Sequence, residues 1–210
     1  MKELDLLKKD WQKNSGSFQQ ISETEIYKMI HKKSSSIVKW ILIISILEIS
    51  FWTFSNLFIN TDEVLRKINH PEIVMALEFL TYFNYVVVLI FVYIFYKNYK
   101  TISTTVATKS LMSAILKTRK TVQYYVWYNL GMIVITAILS FFIAFVYNPD
   151  MEFLRDKLAL NGKAMFVTIG ILFLVILGFF GLFWCFYRII YGTLLRRLYA
   201  NYKELKKIDF

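Results

Sequence analysis

The chain is 210 residues long, 57% hydrophobic and 18% aromatic, with two prolines, one cysteine and a net charge of +10 at neutral pH. That apolar fraction, with a mean hydropathy of +0.46, excludes an ordinary soluble domain carrying a polar surface. The lone cysteine, Cys185, excludes an intrachain disulfide and any cysteine-cluster metal site.

The first residues, Met1 to Asp5, already mix charges and lack the basic-then-apolar order of a secretory signal, so the N-terminus is expected to be retained. Leu4, Leu7 and Trp11 recur at helical spacing and predict a short amphipathic helix that ends near Asn14 to Gly16. Ser22-Glu-Thr-Glu25 is a capping box, with Ile21 and Ile26 placed as a hydrophobic staple, and announces a second helix. This helix carries Ile26, Met29 and Ile30 on one side and reaches the serines Ser34 to Ser36, which either kink the chain or continue the helix. Residues 1–36 thus form a cytoplasmic head too short to bury a core of its own, since chains below about 40 residues usually need a staple or a partner. Its apolar faces must dock on the bilayer, on another part of the chain or on another protein. In the last case Leu4, Leu7, Trp11, Ile26 and Ile30 are the anchors that a groove would take.

Residues 37–191 hold four apolar runs, at about 37–59, 73–96, 124–147 and 164–190, each long enough for the roughly 20 residues that a helix needs to cross a bilayer. The predicted fold is therefore all-α, a polytopic four-helix membrane bundle with a helical head and a helical tail over 192–210. No charge falls between Lys163 and Arg188 in the fourth run, whereas Glu48 interrupts the first and Glu78 lies in the second. The loop before the third span combines Lys109, Lys117, Arg119 and Lys120 with Leu111, Met112, Ile115 and Leu116. This predicts a basic amphipathic helix lying against anionic lipid before it bends into the membrane.

Lysine and arginine are distributed unevenly. The segment through Lys39 holds eight of the 25, residues 97–120 hold six and the part from Arg188 holds six, while the other two loops hold two and three. The positive-inside rule then predicts cytoplasmic termini, and Trp40, Tyr96, Trp127 and Trp184 fall where an inner aromatic belt would sit. The net charge reads as a membrane's inner face in preference to a nucleic-acid surface.

Counting about eleven residues from the inner end of the first span, at about 1.5 Å each, places Glu48 near the bilayer centre. An acid there is costly unless paired, so it is expected inside the bundle, hydrogen-bonded to Asn84 of the second span or serving as a proton or ion site. Gly170, Gly178 and Gly181 are expected to let helices approach closely. Chemistry is otherwise sparse: His31 and His70 lie on opposite sides of the membrane in this topology, and no phosphate loop, nucleophile elbow or metalloprotease motif occurs. Neither an enzyme, nor a cofactor, nor a bound metal is expected.

Two stretches, Lys32-Lys-Ser-Ser-Ser-Ile-Val-Lys-Trp40 and Ile115-Leu-Lys-Thr-Arg-Lys-Thr-Val-Gln-Tyr-Tyr-Val-Trp-Tyr-Asn-Leu130, resemble a family of small bacterial inner-membrane proteins associated with extracytoplasmic-function sigma factors. The segment Asp10 to Gln12 is similar to the starts of other anti-sigma proteins. Some members carry a carotenoid-monooxygenase label, which two histidines do not support. The resemblance implies a membrane-bound anti-sigma factor whose head holds a sigma factor. The zinc-type His and Cys-x-x-Cys pattern is missing, and with outer loops this short a sensor would lie within the bundle. The alternatives are a small transporter or channel subunit using Glu48 and Asn84, and an accessory subunit packed on a larger membrane complex or on a second copy of the chain.

Overall fold

The computed structural model describes residues 22–58 and 70–208. Four long helices dominate: α1 (Glu23–Phe58), α2 (Pro71–Thr104), α3 (Thr108–Tyr147) and, after a 3-10 turn at Pro149–Met151 and the short α4 (Glu152–Ala159), α5 (Gly162–Ile208). All four long helices meet the length and hydropathy of membrane spans, and they pack as an antiparallel bundle in which α1 and α3 each touch both α2 and α5. The chain is thus an all-α multi-pass membrane protein. Exposed Phe51, Phe83, Leu89, Ile138, Phe142, Phe173 and Leu174 cover the outer surface of the bundle. Lipid accommodates such a surface and water does not.

Each helix starts or stops where its local chemistry dictates. At the start of α1 the capping box closes: the Ser22 N–H donates to Glu25 Oε2 at 3.1 Å, and the Glu25 N–H donates to Ser22 Oγ at 3.3 Å. Pro71, which lacks an N–H, sits in the first turn of α2, where no intrahelical partner is lost. Residues 105–107 make the tight α2–α3 turn, and Tyr27 donates to the Thr105 carbonyl at 3.3 Å, tying α1 to it. Partial burial there pushes the Tyr27 phenol above its ordinary value. Ser34 to Ser36 lie within α1, so the serines continue the helix. At the far end of the bundle the Arg155 guanidinium donates to the carbonyls of Phe145 and Val146, satisfying groups that the end of α3 leaves open.

The buried positions repeat in steps of three and four, alternating strictly on α2, α3 and α5. On α1 they run Ile30, Ser34, Val38, Ile41, Ser45; on α3 Leu111, Ile115, Thr118, Val122, Tyr125; on α5 Tyr187, Tyr191, Leu198, Asn201, Leu205, with half-buried Leu194 between; on α2 Val88, Phe95, Asn98, Ile102, with half-buried Phe91 between. A step averaging close to 3.5 residues is the seam of a left-handed coiled-coil bundle. One cluster joins Ile30, Val38, Ile102, Leu111, Ile115, Leu198 and Leu205, and a second joins Ile41, Val88, Phe95, Val122, Tyr125, Leu130, Tyr187 and Tyr191. Both clusters lie toward the end that carries the basic residues. Between Ser34 and Asn201, both fully or nearly buried, the amide nitrogen donates to the hydroxyl at 3.0 Å and fixes α5 against α1.

Several expectations change. Residues 109–120 do not form a separate helix that bends into the third span: they are the first turns of the 40-residue α3, with Leu111 and Ile115 buried in the bundle. Lys109 and Lys120 are eleven residues apart on one helix, about 16 Å along its axis. Arg119 lies 4.4 Å over the Tyr199 ring, engaged with α5. Met29 is exposed, while Ile30 is sealed in the first cluster with Ile26 packed against it. The second head helix therefore docks on its own chain, and Ile30 has no free face for another protein. Gly170, Gly178 and Gly181 meet nothing within 4 Å of where a side chain would begin, so they do not mediate close helix approach. Leu4, Leu7 and Trp11 lie outside the described residues.

Leu198→Ala empties a fully buried site in the seam and is expected to destabilise the bundle by about 2–5 kcal/mol. Ile138→Ala, on the outer face, should cost far less. Thermal unfolding of the two purified variants in the same detergent checks the ordering.

Candidate functional site

Glu48 occupies the next step of the α1 seam, three residues after Ser45, so the helix register itself turns the carboxyl into the bundle. Three phenols meet it there. Tyr125 of α3 donates to Oε2 at 2.8 Å, Tyr191 of α5 donates to the same oxygen at 3.2 Å, and Tyr187 of α5 donates to Oε1. Tyr187 and Tyr191 are one helical turn apart and stack at 5.9 Å between ring centroids. Tyr125 sits edge-on to Tyr191 at 5.8 Å and to Phe95 at 5.3 Å. All three rings are nearly buried. One acid thus links α1 to its diagonal partner α3 and its neighbour α5, through donors placed by the same three-four repeat that packs the bundle.

Asn84 does not bond Glu48. Its Oδ1 accepts from the Tyr128 hydroxyl at 3.0 Å, which joins α2 to α3. Glu48 and Asn84 nonetheless share a cavity of about 230 Å³, bounded by α1, α2 and α3, with α5 contributing Tyr187. Tyr125 and Tyr187 line it beside Glu48, and Thr81, Asn129 and Thr136 add polar groups farther out. From Tyr125 to Thr136 is eleven residues of α3, so the cavity extends about 16 Å along the bundle toward the end opposite the basic residues. Burial is sparse at that end: among the described residues nothing is buried beyond Ser45 on α1, before Val88 on α2 or before Tyr187 on α5, and beyond Leu130 on α3 only Ile143 is. The seam loses its large buried side chains there, and the polar space extends from the Glu48 layer outward.

The depth of Glu48 also differs from the count along α1 alone. Its partner Tyr187 immediately precedes Arg188, whose guanidinium lies 4.8 Å over the exposed Trp184 ring. The Glu48 layer is therefore central on α1 but near the basic end of the apolar run on α5. Helices of unequal length are packed with their apolar runs offset, and a single helix does not reveal that offset.

The tyrosine donors escaped the sequence reading. Their signal was a pair of tyrosines four apart, Tyr187 and Tyr191, facing one way within an apolar run, together with Tyr125 on the α3 seam. Among the described residues no group of three His, Cys, Asp or Glu side chains gathers to hold a metal. A second, more open cleft of about 640 Å³ lies at the basic end between the start of α1 and the α2–α3 turn, lined by Tyr27, Lys28, His31 and Thr105 among others. The buried His31 Nε2 has no hydrogen-bond partner among the described residues.

Residues 24–210 match the family described as a domain of unknown function, DUF8845. The chain belongs to the DUF8845 family. Neither a curated protein nor a solved structure matches it. The matched region begins in the first turn of α1 and takes in the whole bundle, so the Glu48 layer and both buried clusters lie inside the family domain and the first 23 residues lie outside it.

Glu48→Ala leaves three buried phenols without an acceptor and opens space beside them, at about 1–3 kcal/mol for each stranded group. Tyr191→Phe removes the longest of the three bonds and leaves the carboxyl two donors. Thermal unfolding in detergent is expected to rank wild type above Tyr191→Phe, and Tyr191→Phe well above Glu48→Ala.

Proposed function

We propose that this DUF8845 member is a non-enzymatic regulator in a bacterial inner membrane, with cytoplasmic termini, that holds a cytoplasmic protein through the segment preceding α1. The resemblance of its sequence makes a sigma factor the favoured partner. The observation that carries the reading is mechanical continuity. The helices α1, α3 and α5 run unbroken from the Glu48 cavity into the packed bundle at the basic end. A change of packing around the carboxyl is thereby passed to the turn of α1 from which residues 1–21 depart. With Ile30 sealed inside the bundle, the anchors left to grip a partner are Leu4, Leu7 and Trp11. Lipid headgroups of negative charge would meet Lys117 and Lys120, both exposed beside the span.

The cavity itself favours a second reading, a small transporter or channel subunit with Glu48 and Asn84 on its polar path. Such a protein moves its solute across a liposome wall without any cytoplasmic protein.

Removing residues 1–21 spares the capping box and every described contact of the bundle. The truncated protein should insert normally yet lose a sigma factor that co-purifies with the full chain in mild detergent. Equal recovery of the partner with both forms, or its absence from both, contradicts the regulator. Solute flux through liposomes holding only the purified chain would favour the transporter.

A further inference from the structure

We infer that the intramembrane cavity is a binding site for a small organic cation, an amine with an apolar body, with Glu48 as its counter-ion; the inference deepens the reading of that cavity as the sensing element. Formal charge is the first argument. Glu48 lines the cavity, and no Lys, Arg or His does. A cation entering this low-dielectric space meets a carboxylate and no repelling charge, while an anion meets the reverse.

Hydrogen-bond direction is the second argument. Most hydroxyls around the cavity spend their hydrogens on the protein itself. Thr81 donates to the Leu77 carbonyl at 2.9 Å, and Thr136 donates to the Met132 carbonyl. The Asn129 amide donates to the Tyr125 carbonyl at 2.8 Å, and the Tyr125 and Tyr187 hydroxyls donate to Glu48. What the hydroxyls have left for a guest is acceptor oxygen, while the amides of Asn84 and Asn129 keep N–H groups of their own. An ionised carboxylate offers about four lone-pair sites, and three phenols fill three of them, so one remains for an incoming N–H. At the carboxylate, the charged end of the cavity, the guest that suits is a donor.

Shape and ring chemistry are the third argument. Trp52, Tyr85, Tyr125 and Tyr187 line the cavity together with Ile49, Leu80 and Ile133. Aromatic faces attract an ammonium group within about 6 Å, and the aliphatic side chains receive hydrocarbon. At about 230 Å³ the space lies below the roughly 300–1,000 Å³ of sites for drug-sized molecules, which selects a compact guest. The three phenols hold the carboxylate when the cavity is empty. An amine that takes the fourth lone-pair site draws on the acid that ties α1, α3 and α5 together, and so couples occupancy to bundle packing.

The test uses the full-length protein in lipid nanodiscs, with benzylammonium as probe, benzyl alcohol and benzoate as its neutral and anionic counterparts, and empty discs to subtract partitioning. Calorimetric titration should show saturable binding of benzylammonium, with benzyl alcohol and benzoate at least tenfold weaker. Glu48→Gln, which keeps the shape and removes the charge, should weaken the cation at least tenfold. Met132→Trp, which fills the cavity and leaves the carboxyl layer intact, should abolish binding. Benzyl alcohol binding as tightly as the cation, full affinity in either variant, or no saturable binding to wild type overturns the inference. If Glu48→Gln fails to fold, the neutral counterpart and Met132→Trp still decide it. These titrations involve no cytoplasmic protein, so their failure would leave the co-purification result standing, and the converse also holds.

Discussion

A carboxyl group in the seam of a membrane bundle is the constraint to which the rest of the structure answers. The three-four repeat that buries Ser34, Ile41 and Ser45 points the next step, Glu48, into the same interior. Three hydrogen-bond donors converge there from two other helices. Replacing a buried acid by a well-packed apolar residue is often neutral or stabilising, whereas removing one partner of a buried set is costly. Glu48 is thus a poor device for raw stability and a strong one for register: its bonds form only when α1, α3 and α5 stand at one relative height and rotation. Ser34 with Asn201 repeats the device about fourteen residues along α1, some 21 Å nearer the basic end. The two polar pins together set the sliding of α5 against α1, which apolar packing alone leaves soft.

Much of this was legible in the sequence because lipid imposes strong rules. A helix in hydrocarbon must satisfy all its backbone groups internally, so four apolar runs meant four helices, and the tail, the capping box and the continuity of the fourth span into residues beyond Gly192 follow from the same logic. The read that failed was local. Lys109 to Lys120 has the composition of a surface helix, but the sequence shows a helical face without showing what covers it. Leu111 and Ile115 found α1 and α5 instead of lipid. Met29 shows the same limit from the other side, since Ile26 and Ile30 alone continue the seam toward Ser34.

The site was half legible. A charged residue inside an apolar run identifies itself, and Glu48 did. Its partners did not, because tyrosine in a membrane segment is read as an interfacial anchor, and whether a hydroxyl points to headgroups or inward depends on rotation about the helix axis. Tyr124 and Tyr125 show how little separates the two outcomes: adjacent in sequence, one is 57% exposed and the other 1%. The 3.5-residue period across α3 assigns Tyr125 to the interior, a period visible only once Leu111, Ile115, Thr118 and Val122 are recognised as one line.

The asymmetry of the bundle is what the proposed role would use. Toward the basic end, large residues interlock and the helices behave as one packed body. Beyond Glu48 the buried positions thin out, and a polar cavity takes the place of a core. A two-part bundle of this kind has its stiffness at one end and its adaptable space at the other, with the carboxyl layer as the boundary. Whatever enters the cavity can alter helix spacing at small cost locally, because few contacts there resist it. The same displacement at the packed end meets close-packed side chains that shift as a unit or not at all. In the proposed regulator, small changes at the open end would be turned into rigid motion at the basic end, which is the mechanical requirement for a membrane protein that reports an intramembrane event to a partner in water.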